Sequence, residues 1–383
     1  MNRRVAVVTT SRADYSHLYW VLRDLEAHPS IDLKLIAGGA HLTQEFGAAA
    51  DEIESDGFKI DQRVECLLSS DTDVGMAKTI GVATLGLADA LGRLRPDLLL
   101  LIADRYEMLA PASVALALRI PIAHIEGGEV SEGAIDDAVR NALTKMSHLH
   151  FTPTENSRRR VVAMGEEPWR VQRTGAPSLD HLVRNTMIER SELQTELGVV
   201  LEDAPTVVAY HPVTLAQDTL HEVDALFGAL ERHSGQVLFC FPNADAGSRE
   251  LSRRARTFCD ARAGARMFVN LNPLHYWSLL HCASTMLGNS SSGIMESPSL
   301  ALPCVNIGFR QQGRERAANI IDVEAEEEAI VSALEHARSE EFKRSLAGMT
   351  NPYGEGNAAS RIVETIAATE LGEKLLIKRA VPI

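Results

Sequence analysis

Short apolar runs alternate with amphipathic stretches along this chain, and most runs stop abruptly at a charged or polar residue. A short, mostly apolar run reads as a strand covered on both faces, as inside a parallel sheet. One series lies at 4–9, 33–37, 98–102, 120–125 and 148–152, and a second at 206–210, 237–241, 266–270, 284–287 and 304–307. After the first run, Tyr15, Leu18, Tyr19, Leu22 and Leu25 fall on one helical face. This strand–helix–strand rhythm predicts parallel sheets coated by helices. It restarts after the charged stretch 184–205, which reads as a junction, and 383 residues exceed one ordinary core. Two open α/β domains are expected, 1–183 and 184–355, facing a central cleft with their carboxyl edges.

The net charge of −14 disfavours nucleic acid and anionic membrane as partners. Cys66, Cys240, Cys259, Cys282 and Cys304 are odd in number and scattered. They read as reduced thiols of a cytoplasmic protein, not as a disulfide frame or a zinc site. No apolar run approaches the roughly 18 residues of a membrane helix. After MNRR, the apolar stretch 5–8 is too short for a secretory signal and reads as the first strand. The turn TTSRADY contains no glycine, so the GxGxxG fingerprint is absent and hydride transfer is disfavoured. No GxxxxGK[ST] loop or HExxH motif is present, and no residue set demands a metal. Mg2+ could accompany a diphosphate, but nothing in the sequence specifies it.

A polar group at the end of a parallel strand lies at the carboxyl edge of its sheet, where ligands bind. Arg12 follows the first run, Asp104 and Arg105 follow DLLLLI, and Glu126 follows IPIAHI. His211 ends the first strand of the second series, Asn243 follows VLFCFP, and Ser290, Ser291 and Ser292 follow STMLG. For one such residue, helix capping is the commoner explanation. Six segments bringing polar groups to the sheet edges favour a site. Asp104 and Glu126, twenty-two residues apart, follow runs expected to be adjacent strands. A shared pocket can push two carboxyl pKa values apart, as acid/base chemistry requires.

In GNSSSGIMES, Ser290 and Ser291 open a helix after a buried run. A helix N-terminus offers unpaired N–H groups and a partial positive charge to phosphate. Gly293 reads as letting an anion approach the backbone. Glu296, one turn on, is placed for a ribose hydroxyl pair. GFRQQGRER adds Arg310, Arg314 and Arg316 as candidates to hold an anion in an acidic protein.

The segments TSRADY, ADRYEM, HIEGGEVSEGAIDDAVRNALTKMSHLHF, HPVT, PNADAG and GNSSSGIMESPSLALPCVNIGFRQQGR occur in this order. Over about 4–365 they closely resemble the hydrolysing UDP-N-acetylglucosamine 2-epimerases of sialic-acid and related nonulosonate synthesis. The resemblance implies a GT-B-like fold, two Rossmann-like domains with the active site between them. It also implies that the last segment, 356–383, returns to the first domain through a helix at 357–371. The implied chemistry is anti elimination of UDP across carbons 1 and 2, giving 2-acetamidoglucal. Hydration then inverts carbon 2 and releases N-acetylmannosamine and UDP, with no cofactor required. Asp104, Glu126 and Asp136 match the family's acid/base carboxylates. His211 matches a group near the sugar and leaving group, a candidate acid or diphosphate contact. Arg12, Arg105, Ser290, Ser291 and Arg314 match diphosphate or active-site contacts, Glu296 matches the ribose contact, and Asn243 joins the nucleotide set. The implied partner is a small sugar nucleotide, and a homodimer or homotetramer is expected.

Three departures from the family pattern stand out. Ala103 replaces the glycine expected before the Asp104 motif, Ser11 replaces the glycine of GTR, and Phe309 stands where relatives read GDRQ. UDP-N-acetylglucosamine is the first substrate expectation. The alternatives are UDP-2,4-diacetamido-2,4,6-trideoxyglucose (UDP-N,N'-diacetylbacillosamine) on a legionaminate route, and GDP-N-acetylglucosamine. A GT-B glycosyltransferase would share the fold but need an acceptor pocket. A non-catalytic sugar-nucleotide sensor would not need three acids together.

Overall fold

The computed structural model describes residues 2–43, 50–68, 72–132, 135–211, 220–241, 248–269 and 271–380. The chain forms two compact units. Unit 1 comprises Met1–Glu129, Ile135–Asp180 and Gly356–Ile383; unit 2 comprises Val130–Ala134 and His181–Glu355.

Unit 1 is built on β1 (Arg3–Thr9), β2 (Ile31–Gly38), β3 (Ile60–Val64), β4 (Leu98–Ile102), β5 (Ile122–Ile125), β6 (Leu149–Thr152) and β7 (Val171–Arg173). The sheet order is β3-β2-β1-β4-β5-β6-β7, parallel throughout. The unbroken apolar run of β4 follows from two covered faces. Val5 and Val7 of β1, with Leu98, Leu100 and Ile102 of β4, pack under the helices Arg12–Ala27 and Ala358–Ala368. Ala6, Val8, Leu99 and Leu101 pack on the other face, under the helices Asp73–Leu94, Leu109–Leu118 and Ile135–Met146. Each large side chain buried in this way contributes about 1.5–3 kcal/mol.

Unit 2 repeats the plan with β8 (Thr206–Ala209), β9 (Val237–Phe241), β10 (Arg266–Val269), β11 (Thr285–Gly288), β12 (Cys304–Ile307) and β13 (Ile320–Val323), in the order β10-β9-β8-β11-β12-β13. Both orders are the doubly wound Rossmann arrangement, so the chain is of the two-domain GT-B-like class. The order reverses between β1 and β4 in unit 1, and between β8 and β11 in unit 2. The helices that follow such a strand pair leave to opposite faces, which opens a crevice beyond the carboxyl ends.

The strands β3, β7 and β13 extend the sheets beyond the apolar runs in the sequence. All three lie at sheet edges, where one side is open to solvent. Their sequences IDQRV, VQR and IIDV accordingly carry polar positions that a search for continuous apolar runs passes over. The helix Asp73–Leu94 also amends the sequence reading. It is long and apolar enough to cross a membrane by length and composition, with a third of its apolar window buried. Its face of Ala83, Leu87, Ala90 and Leu91 packs in the core of unit 1. All five cysteines are free thiols, and burial pushes Cys240 and Cys304 up to about 12.

The C-terminal segment is fixed to unit 1 by polar bonds as well as packing. Both Asp180 carboxylate oxygens accept from the first turn of the helix Ala358–Ala368, from Ala358 N at 2.9 Å and Ala359 N at 2.8 Å. The fully buried Arg170 donates to the carbonyls of Leu375 (2.7 Å), Lys374 (2.9 Å) and Ile377 (3.0 Å). Beneath them the buried Glu166 carboxylate meets Lys145 at 2.6 Å, Lys378 at 2.7 Å and His150 at 3.2 Å. Burial alone would raise this carboxyl, but the His150, Lys145 and Lys378 bonds outweigh it and hold it down at about 2.

A group depressed from an unfolded value of about 4.3 stabilises fully above that pH and loses its contribution as pH falls towards 2. Glu166→Gln should therefore lower stability at neutral pH by on the order of 3 kcal/mol. It should also flatten the fall in stability between about pH 4.5 and 2. Urea unfolding of both proteins across that window tests this; parallel curves would remove Glu166 as the latch.

Candidate active site

The switch point of unit 1 receives residues from three strand ends. After β1, Ser11 caps the helix Arg12–Ala27 in a capping box with Asp14, whose carboxylate accepts from Thr10 N at 2.7 Å and Ser11 N at 3.0 Å. Ser11 sits at φ −150°, an extended conformation that needs no glycine, so the hydroxyl supplies a cap that glycine could not. Arg12 opens the helix with Nε 3.0 Å from Glu52.

After β4 the backbone turns left-handed at Ala103, φ +59°. Glycine suits this conformation best, which explains why the family pattern places it there. Asp104 does not cap the following turn, because Arg105 holds the N-cap position and no side chain bonds there. Instead Asp104 forms an ion pair with Arg140, a buried guanidinium on the helix Ile135–Met146 that also donates to Glu129 O at 3.1 Å. Asp136, half-buried, lies one turn before Arg140 on that helix. Arg105 donates to the buried Glu107 at 2.9 Å. Burial alone would lower its pKa, but the Glu107 and Asp14 carboxylates more than offset this and hold it above the ordinary arginine range.

After β5, Glu126 is itself left-handed, φ +66°, and its N–H is tied to Phe151 O at 2.8 Å. Its side chain is buried, and Oε1 lies 3.0 Å from His17 Nδ1. Ile102 pairs with Ile125, so the two carboxylate-bearing turns leave neighbouring rungs of one ladder. Buried His124 joins them through a 2.8 Å bond to Ala103 O, and burial lowers its pKa to about 4. A neutral ring donating from Nε2 fits that carbonyl. Among the described residues, Arg95, Arg119 and Ala301 are the other non-glycine positions with positive φ, and all three are helix C-caps. At C-caps this conformation is ordinary. At Ala103 and Glu126 it is strain placed at a strand end, which points to function.

In unit 2, His211 leaves β8 and Asn289 leaves β11. The buried Asn289 side chain clamps the His211 backbone, accepting from its N–H at 2.7 Å and donating to its carbonyl at 2.8 Å. The Asn289 carbonyl accepts from Arg310 at 2.9 Å and Gln311 at 2.8 Å. Burial, with Arg310 nearby, pushes His211 down to about 3, so its imidazole is neutral near pH 7. A neutral imidazole there is a hydrogen-bonding group. An arriving diphosphate would favour its charged form.

Ser290 caps a helix of five residues, Ser291–Met295, with Ser290 and Ser291 both half-buried. Gly293 packs tightly: a Cβ there would lie 2.7 Å from Cys304 Sγ. Ser292 is turned inward, where its hydroxyl accepts from Tyr276 at 2.9 Å. Glu296 is buried at the C-terminus of the same short helix. Arg314 donates to Val130 O at 3.1 Å. Arg316 is occupied in a two-pronged pair with Asp322, at 2.7 and 3.0 Å. Phe309 is exposed. Asn243 lies outside the described residues.

The sequence reading thus marked strand-end positions but passed over His17, Arg140 and Asn289. Arg140 and its spacing from Asp136 were visible in AIDDAVR, whereas His17 and Asn289 acquire their partners only on folding. A groove of about 760 Å3 elsewhere on unit 2 carries Arg232, Arg253, Arg254 and Arg262. Their guanidiniums are taken up by Glu328, Glu250, Asp224 and backbone carbonyls respectively, so it is a weaker candidate.

Residues 23–367 match the family described as UDP-N-acetylglucosamine 2-epimerase. A Campylobacter jejuni protein named GDP/UDP-N,N'-diacetylbacillosamine 2-epimerase (hydrolyzing) is 36% identical over 366 residues, covering 95% of this chain and 94% of its own. A Legionella pneumophila protein named UDP-N,N'-diacetylbacillosamine 2-epimerase (hydrolyzing) is 33% identical over 379 residues, 99% of each chain. The crystal structure of UDP-GlcNAc 2-epimerase from Neisseria meningitidis bound to UDP-GlcNAc matches with a TM-score of 0.82 over 96% of this chain and 100% of that one. At 18% identity, that likeness speaks to the fold.

Replacing alanine by glycine ordinarily destabilises by about 0.5–1 kcal/mol. At Ala103 the relief of left-handed strain should cancel or reverse this, leaving Ala103→Gly neutral or more stable by up to about 1 kcal/mol. Ala103→Val should lose at least about 1 kcal/mol, because a β-branched residue resists this conformation more. Urea midpoints decide the matter; an ordinary glycine penalty at this site would show the turn to be unstrained.

Proposed function

Because this chain belongs to the UDP-N-acetylglucosamine 2-epimerase family and is a hydrolysing sugar-nucleotide 2-epimerase, we propose that its substrate is UDP-N,N'-diacetylbacillosamine. The observation that carries this reading is that the two relatives described above, each aligned over nearly the whole chain, are both named for the diacetamido sugar. UDP-N-acetylglucosamine, the first expectation from sequence, gives way to the alternative. In this reading the products are 2,4-diacetamido-2,4,6-trideoxymannose and UDP.

The chemistry has two stages. A base takes the proton from carbon 2 while the bond from carbon 1 to the diphosphate oxygen breaks, leaving a 2-acetamidoglycal and UDP. Water then adds its oxygen to carbon 1, and a proton returns to carbon 2 on the opposite face. The carbon 2 proton is weakly acidic, so stabilising the departing diphosphate matters as much as the base. We assign that stabilisation to Ser290, Ser291, Arg314 and His211, with Arg12 and Arg105 as further positive charges. Glu296 is assigned to the ribose. Asp104, Glu126 and Asp136 are assigned to proton transfer and to orienting the sugar. The pairing of Asp104 with a guanidinium suits a carboxylate that stays charged, whereas Glu126 has a partner that can itself change protonation.

The enzyme is expected to convert UDP-N,N'-diacetylbacillosamine faster than UDP-N-acetylglucosamine or GDP-linked sugars when each is followed by proton NMR. In D2O, the released sugar should carry deuterium at carbon 2, because elimination breaks that bond and solvent restores it. Preference for UDP-N-acetylglucosamine would reverse the substrate assignment, and a product without deuterium would exclude elimination. Asp104→Asn and Glu126→Gln should each slow turnover by at least ~100-fold with UDP affinity little changed. Near wild-type rates in both would make these carboxylates structural.

A further inference from the structure

We propose that His17 is a positioning residue for Glu126, holding its carboxyl group in the reactive orientation through both protonation states of the reaction cycle. The proposal rests on the acid/base reading of Glu126 given above and on no particular sugar.

His17 lies on the helix Arg12–Ala27, beside the core residues Tyr15 and Leu18. Its side chain is 28% exposed, and Nδ1 lies 3.0 Å from Glu126 Oε1, whose side chain is 9% exposed. The Glu126 backbone is fixed, left-handed at φ +66° and bonded to Phe151 O at 2.8 Å. A fixed backbone sets the direction of Cβ, but the glutamate torsions beyond it stay free unless something holds the carboxyl group. The His17 bond does so from a different element of the same unit.

The chemistry of the holder matters. Asp104 is held by Arg140, a guanidinium that donates in every state and cannot accept a proton. An imidazole can do both. When Glu126 is a carboxylate, Nδ1–H donates to it; when Glu126 carries a proton, the other tautomer accepts at Nδ1. The ring exchanges its own proton with solvent through its exposed part. No net proton is gained or lost by the pair beyond the one Glu126 takes up and returns. Glu126 can therefore change charge without losing its orientation.

The test uses the full-length enzyme and whichever sugar nucleotide the wild type turns over fastest. His17→Ala should lower kcat about 10- to 100-fold, the effect of losing one hydrogen bond to a charged group. UDP affinity and Tm should be unchanged. The isotope effect from deuterium at carbon 2 of the substrate should rise as proton transfer becomes slower. Asparagine places its amide where Nδ1 lies, and glutamine places its amide where Nε2 lies. His17→Asn should accordingly recover most of the lost rate, and His17→Gln should not. Wild-type kcat in His17→Ala, or equal rates in the Asn and Gln variants, would overturn the proposal. The pairing itself is read without substrate from histidine ring nitrogen NMR, where the His17 signals should shift on Glu126→Gln; no shift would also overturn it. A wrong substrate assignment would show in the wild-type comparison of sugars and leave these ratios untouched.

Discussion

A parallel ladder runs every strand of a sheet in one direction, so the chain leaves each strand at the same edge. Ile102 and Ile125 are neighbours in that ladder, and within one residue of each the backbone turns left-handed, at Ala103 and at Glu126. Those two turns depend on the sheet beneath them. Ala103 N bonds to Ile125 O at 3.0 Å, Glu126 N to Phe151 O at 2.8 Å, and buried His124 ties the first turn to β5. The strain in each turn is small beside the apolar burial that fixes β4 and β5 on both faces. The sheet can therefore hold carboxylates in directions that a loop would not keep.

The two carboxylates emerge with different electrostatic partners. Asp104 meets a buried guanidinium, and Glu126 meets a half-buried imidazole. In the second unit the same edge geometry brings together His211 and Asn289. Asn289 bridges the ends of β8 and β11 by clamping the His211 backbone, and burial keeps the His211 ring uncharged. The short helix after Ser290 fits the same economy of space. Its glycine leaves room for Cys304, which a Cβ would crowd.

The legibility of the sequence followed burial. The runs 98–102 and 237–241 coincide with β4 and β9, because a strand coated on both faces is mostly apolar along its length. The edge strands β3, β7 and β13 escaped because polar residues interrupt them, whereas the edge strand β10 kept the apolar core MFV and was read at 266–270. Strand-end positions of candidate site residues were visible for the same reason: where a fully buried run stops, the next polar residue marks the sheet edge. Arg12, Asp104, Glu126, His211 and Ser290 could be placed at edges in this way. The charge states and partners of those residues could not, because they depend on groups far away in the chain.

By itself, the sequence determined the alternation that demands doubly wound parallel sheets, and the polar groups that stand where strands end. Composition and periodicity are local, and they survive in the unfolded chain. Tertiary structure alone decided that Arg140 faces Asp104, that His17 faces Glu126 from 109 residues away, and that Asn289 grips His211. It also decided that Ala103 and Glu126 carry left-handed strain, and that burial lowers the His211 pKa. These are properties of distance and burial, and neither exists until the helices have covered the sheets.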